Sequence, residues 1–320
     1  MKRDALIAVA AGVLGALLLV AGWRGSFLGV ALGMMFSPMP LAMTALCLGL
    51  RYLPLSILAG AVAVTAVTGS FALAALYVVV DAAPVAILAR IDLMAQKRAA
   101  MDPPQGLRGW DLGLVVALLA FAAVLVMAVG LAAFPSGPNG MEAALRERLT
   151  ELVAQVPMAG NDAQAKDALV QGLDRVLPGA AAWNWAFRAL VSAVLAQMFL
   201  ARDGFARWLT PAYRTFAVPG WYIGVFWVAA VAAWLAPGDA GYVVANAVAA
   251  LSLPLVLQGL AVVHVATASF GYGRMALVAF YGVALVLAGA AVALVVMLGV
   301  MEHFFQIRAR LLSRPRNGGE

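Results

Sequence analysis

One carboxylate, Asp81, interrupts the apolar run LYVVVDAAPVAIL between Leu76 and Leu88. A charge at the centre of a bilayer costs about 2.5–3.5 kcal/mol on insertion scales. An acid placed there is therefore paired, hydrated or protonated. Tyr77, one turn earlier, and Pro84, almost one turn later, share its helical face. Pro84 also leaves the carbonyl at position 80 without its helical donor, which creates a polar spot beside the acid. Asp81 could relay a proton, couple to a cation or meet a cationic group of a ligand. The competing reading is a structural hydrogen bond to a neighbouring helix.

Three other groups of residues carry polar chemistry in apolar surroundings. Arg188 lies five or six residues inside the run WNWAFRALVSAVLAQMF. It is expected either to snorkel to the outer interface beside Trp183 and Trp185 or to point inward with Ser192 and bind an anion. Depth argues against its pairing directly with Asp81, which lies some three helical turns from that surface. Gln197 is a weaker polar position on the same run. Asn246, Pro254 and Gln258, spaced by eight and four residues, fall roughly on one face, with His264 near the end of their run. A polar stripe beside a proline resembles the interrupted helices from which transporters build sites, although ordinary interhelical hydrogen bonds explain it as well. The tail is aromatic and then basic, with Glu302, His303, Phe304, Phe305, Arg308, Arg310, Arg314 and Arg316. It suits anionic lipid head groups or a cytoplasmic partner.

Missing motifs narrow the function. There is no GxxxxGK[ST] phosphate loop, no HExxH pair and no GxSxG elbow. Two histidines about forty residues apart do not make a catalytic zinc site. Intramembrane aspartyl catalysis needs a second deep acid, and only Asp81 qualifies. The expectation is a protein that is not an enzyme and has no cofactor or metal. The lone Cys47 reads as a packing residue.

The elements that must hold these residues are membrane helices. Of 320 residues 65% are hydrophobic and 11% charged, and mean hydropathy is +0.96. Such a chain cannot cover its apolar surface in water, so a bilayer is its solvent. The net charge of +6 comes largely from arginines between apolar runs, which fits cytoplasmic loops rather than nucleic acid. Expected helices cover 5–23, 26–50, 54–69, 71–91, 110–134, 182–201, 219–236, 242–266 and 275–300. The first is read as a retained span rather than a cleaved signal. Pro38, Pro40, Pro84 and Pro254 are the expected helix breaks. Gly25, Gly29 and Gly33 share a face that allows close helix packing.

Between the spans, residues 90–109 read as a positive cytoplasmic loop. Residues 135–180 read as an extracytoplasmic amphipathic hairpin. Its apolar faces are Leu145, Leu149, Leu152 and Val156, then Leu169, Leu173 and Val176, with Asn161 or Asp162 as cap. Nine spans with the N-terminus inside would put the arginine tail outside, against its charge. An even number of crossings follows, with one element broken at Pro38 or Pro254. The second choice leaves every other loop in place.

The segments FAVPGWYIGVFWVAAVAAW (Phe216–Trp234), NAVAALSLPLVLQGLAVVHV (Asn246–Val265) and LGVMEHFFQIRAR (Leu298–Arg310) occur in this order. The order resembles the YybS-like bacterial membrane family, with PMPLAM and LYVVVDAAP echoing its proline-bearing helices. That family is in turn similar to the substrate-binding membrane subunits of energy-coupling-factor transporters. The resemblance implies a helix bundle with a small-molecule site, driven by separate ATPases. The extra helices and the 135–180 insertion depart from the compact six-helix pattern of those subunits.

Together these readings predict an all-α, multi-pass protein of the bacterial inner membrane, a helix bundle of about eight to nine helices. Its expected parts are N-terminal transmembrane helices (1–134), the insertion (135–180), C-terminal transmembrane helices (181–300) and a basic cytoplasmic tail (301–320). The expected role is transport-related, with a small-molecule or ion site formed by Asp81, Tyr77, Arg188, Asn246 and Gln258 and with no ATPase of its own. The alternative is a ligand-free scaffold or assembly subunit. Expected partners are the lipid bilayer, a small-molecule ligand and a membrane or cytoplasmic protein, but not nucleic acid.

Overall fold

The computed structural model describes residues 2–24, 33–101, 109–134, 139–155, 163–205, 212–268, 272–287 and 289–313. Gly25, Gly29, Pro103, Pro104, Val156, Asn161, Asp162, Arg314 and Arg316 lie outside the described residues. The described residues form helices and no β-strand, as the hydropathy pattern requires. By length and composition five helical segments can cross a membrane: Lys2–Gly22, Phe71–Met94, Asp111–Ala133, Ala163–Arg202 and Gly238–Ala268. Shorter apolar helices accompany them, among them Gly33–Leu48 and Leu53–Thr68.

The chain forms two compact units, one of residues 1–107 and 184–211, the other of 108–183 and 212–320. The first unit holds α1 (Lys2–Arg24), α2 (Met39–Met43), α3 (Leu53–Thr68), α4 (Phe71–Tyr77) and α5 (Ala83–Met101). Its core gathers Leu19, Leu41, Val64, Tyr77, Val85 and Ala196. Small residues set the helix spacing. A Cβ on Gly33 would lie 2.7 Å from the Leu18 carbonyl oxygen, and one on Gly60 only 2.2 Å from the Tyr77 hydroxyl. Gly33 therefore packs within the protein. The helix carrying it stops at a turn over Ser37 and Pro38 and resumes at Met39.

The second unit contains α6 (Gly109–Ala133) and α7 (Met141–Ala154), and receives the start of α8 (Ala163–Arg202), whose remainder from Asn184 belongs to the first unit. It continues with α9 (Gly220–Leu235), α10 (Gly238–Ala268), α11 (Gly273–Leu287), α12 (Gly289–Phe305) and α13 (Ile307–Leu312). The most buried of these is α10, and α12 crosses it at backbone contact. A Cβ on Gly259 would meet the Val295 carbonyl oxygen at 2.1 Å, and one on Gly299 the Leu255 carbonyl oxygen at 2.1 Å.

Several expectations need correction here. Pro254 does not break its helix, because α10 runs through it from Gly238 to Ala268. The expected span 275–300 is two helices, α11 and α12. The insertion does form a helical pair, but its second helix continues to Arg202 as one 40-residue element. Its seam is Leu145, Leu149 and Val153 against Val170, Leu173 and Leu177. Leu152 and Val176 instead point outward, 60% and 52% exposed. Two residues meet across the seam's edge, where Arg146 is ion-paired with the buried Asp174. That hydrogen bond and the carboxylate charge raise the guanidinium above its ordinary pKa.

Candidate functional site

Proline chemistry places Asp81. Because Pro84 has no N–H, α4 and α5 are joined by one wide turn, Val78–Ala82, in which the Ala83 N–H reaches back to the Val78 carbonyl. The Val79 carbonyl then has no helical donor: the Ala83 N–H is taken, and the next residue along is Pro84. The Trp185 indole N–H fills that vacancy at 2.8 Å. Trp185 is thus buried and bonded inside the first unit rather than standing in an interfacial aromatic belt.

The same segment of α8 brings in the base. Arg188 Nη2 donates to Asp81 Oδ1 at 2.6 Å and to the Ser37 hydroxyl at 3.0 Å. Ser37 in turn donates to the Met34 carbonyl at 3.2 Å, the group that Pro38 leaves without a helical donor. Asp81 is 0% exposed and Arg188 3%. Arg188 is therefore neither an interfacial anchor nor kept from Asp81 by depth. The depth argument fails because α8 begins at Ala163, which puts Arg188 near the middle of a long helix instead of close to the end of a short one.

The cluster is only half satisfied. The ion pair is single-point, with Asp81 Oδ2 and Arg188 Nε lacking hydrogen-bond partners. The hydroxyls of Tyr77, Ser56 and Ser192 lack partners too, and all three residues are fully buried. Asp81 Oδ2 is a spare acceptor and Arg188 Nε a spare donor, while the three hydroxyls can donate or accept. Unmet polar groups of this kind suit a small anion, a proton on the carboxyl, or water. Removing one member of a buried ion pair costs about 3–5 kcal/mol, while replacing both by apolar groups is often neutral. The pair is therefore weak evidence of stabilisation and stronger evidence of use.

Asn246 and Gln258 belong to the second unit, and their amides are consumed by the fold. Pro178 lies inside α8 and leaves the Asp174 carbonyl without a helical donor. The Tyr242 hydroxyl donates to that carbonyl at 2.6 Å. Asn246 sits between the next pair of backbone groups, accepting from the Gly179 N–H at 2.8 Å and donating to the Arg175 carbonyl at 3.1 Å and the Tyr242 carbonyl at 3.0 Å. Gln258 accepts from the Val218 N–H at 2.6 Å and donates to the Gly299 carbonyl at 2.7 Å. Beside Pro254, Tyr222 donates to the Leu251 carbonyl at 2.8 Å.

In the tail, Arg308 pairs with the buried Glu302 at 2.8 Å and donates to the Arg214 carbonyl at 2.7 Å. It acts as an internal strut and is not free for lipid. Phe304, Phe305 and Arg310 are exposed. Among the described residues no three His, Cys, Asp or Glu side chains group as metal ligands.

Sequence reasoning missed Ser37, although a serine immediately before a proline in an apolar run was a usable signal. It also missed Tyr242 with Asn246, whose spacing of four puts both on one face opposite a helix that carries Pro178.

No curated protein and no solved structure matches the chain. A family model described as "Predicted membrane protein (DUF2232)" matches residues 13–302, the apolar helices of both units included. The chain belongs to that family of membrane proteins.

Proposed function

We propose that this is a transport-related membrane subunit that binds a small anion or couples to a proton at the Asp81–Arg188 pair. Its expected seat is the bacterial inner membrane, and energy would come from a separate ATPase, as the resemblance to energy-coupling-factor subunits suggests. The observation that carries this reading is the fully buried ion pair with unspent donors on Arg188, Tyr77 and Ser192. An arriving anion takes the guanidinium from Asp81, and a proton taken up by Asp81 frees it in the same way. Binding at the pair and protonation of Asp81 are then linked, because each removes the partner that the other group needs. The site performs recognition and no covalent chemistry.

The scaffold reading draws support from Asn246 and Gln258, whose amides are spent on helix–helix bonds. A doubly apolar variant, Asp81→Leu with Arg188→Met, separates the two. It removes both charges together and leaves no buried amide unmet, so folding survives. A binding or transport role is lost with the charges, whereas a scaffold works unchanged. Proton-driven or anion uptake into cells at wild-type rate in the folded double variant refutes the proposal.

A further inference from the structure

The second unit holds a candidate site of its own. A cavity of about 570 Å³ opens beside the end of α10 and the start of α11. Arg214, Arg274 and His264 supply its polar wall, while Tyr272, Met275 and Leu277 supply its apolar one. Neither arginine side chain has an acidic partner among the described residues. The nearby Glu302 is already committed to Arg308. Positive charge is therefore left over at the cavity, and the Arg214 segment is held in place through its own carbonyl by Arg308. His264 is fixed as well, with Nδ1 2.8 Å from the Leu260 carbonyl and its ring edge-on to Tyr213 and Tyr281. Donation from Nδ1 turns Nε2 outward from the helix backbone.

The apolar wall continues into α11, a helix with no buried residue. Its Val278, Leu285 and Val286 are exposed, and in a membrane protein they face acyl chains. Two guanidiniums without acidic partners beside an apolar wall select a particular chemistry. They hold a phosphate by charge-assisted, forked hydrogen bonds, and the apolar wall takes a hydrocarbon tail. We infer that this cavity binds a phosphate ester, with Arg214 and Arg274 on the phosphate and the Tyr272–Leu277 wall against its apolar part. The phosphate can come from an anionic phospholipid head group or from a soluble phosphate ester, and the test separates the two.

The full-length protein is purified in a mild detergent and examined by native mass spectrometry. It is titrated with dioleoylphosphatidylglycerol, with dioleoylphosphatidylcholine and with glycerol 3-phosphate. Arg214→Gln and Arg274→Gln are compared with Arg148→Gln, which removes one exposed positive charge from α7. Both cavity arginines are exposed, so these variants fold, and melting curves check that they do. Each cavity variant weakens phosphatidylglycerol retention about fivefold, the double variant about 25-fold, and Arg148→Gln leaves it unchanged. Phosphatidylglycerol retained without glycerol 3-phosphate binding identifies the lipid source. Arginine-dependent binding of glycerol 3-phosphate identifies the soluble one. Equal retention of phosphatidylglycerol and phosphatidylcholine, or no loss in either cavity variant, overturns the assignment.

Discussion

The Asn246 amide stands in for part of a backbone ladder, and that substitution can be measured. In an uninterrupted helix the Gly179 N–H would bond the Arg175 carbonyl. Here the Asn246 side chain lies between the two and bonds both, with a third bond to the Tyr242 carbonyl. Asn246→Leu removes all three at similar side-chain size. Interhelical hydrogen bonds in membranes average about 0.6 kcal/mol and reach about 1.7, so the loss is about 2 kcal/mol. Pro178→Ala restores the N–H that the Asp174 carbonyl lacks and lets the ladder close on itself. In that background the Gly179 and Arg175 groups bond each other, and Asn246→Leu costs less than about 1 kcal/mol. The coupling in the double-mutant cycle is then at least about 1 kcal/mol. Reversible unfolding in mixed micelles, titrated with sodium dodecyl sulfate, gives the four free energies required. Costs that add to within about 0.5 kcal/mol in the two backgrounds would refute the idea that the amide replaces the ladder.

The same logic extends to the other sites. Trp185→Phe strands the Val79 carbonyl and destabilises by about 1–3 kcal/mol; Pro84→Ala, which supplies an N–H nearby, should relieve most of that in the same unfolding titration. Asp81→Ala, leaving Arg188 buried and alone, costs about 3–5 kcal/mol, against little for Asp81→Leu with Arg188→Met. Equal melting temperatures for the single and double variants would contradict that ordering. Gly299→Leu cannot be accommodated where a Cβ already meets the Leu255 carbonyl oxygen at 2.1 Å; the variant should lose well over 1 kcal/mol or fail to accumulate in the membrane. Gln258→Leu leaves the Val218 N–H without its side-chain acceptor, removes the amide's bond to the Gly299 carbonyl and lowers stability by about 1–3 kcal/mol, read from its melting temperature.

Hydropathy made the helices legible, because twenty apolar residues in a row have few other uses. It located Asp81 in a span and the break at Ser37–Pro38 for the same reason. What it obscured was length. The start of α8 is amphipathic, so a hydropathy window ends the helix near residue 182, whereas the backbone ladder, patched at Pro178, continues from Ala163. That error alone moved Arg188 from mid-helix to an interface and hid its pairing with Asp81. The seam of the α7–α8 pair slipped for a related reason. Leu149 belongs to two plausible apolar stripes one residue apart, and only the facing Val170 decides between Leu152 and Val153. Whether a proline breaks a helix was likewise out of reach, since the outcome at Pro254 and Pro178 depends on donors that arrive from distant segments.

Those donors tie the fold to the function. Ser37 serves the carbonyl left by Pro38, Trp185 the one exposed by the wide turn before Pro84, and Tyr242 the one left by Pro178. Tyr222, near Pro254, bonds the Leu251 carbonyl rather than the Ala250 carbonyl that this proline leaves. In hydrocarbon an unmet carbonyl costs several kcal/mol, so each proline demands a polar side chain close by. Ser37, Trp185 and Tyr242 are explained by that demand, and Asn246 and Gln258 are each bonded to backbone groups at both oxygen and nitrogen. Asp81 and Arg188 answer no proline and satisfy no backbone group. They hold each other by a single hydrogen bond and leave further polar atoms unspent in a place where an apolar pair would be at least as stable. Because no backbone group accounts for it, this pair is the residue set on which the proposed transport role rests.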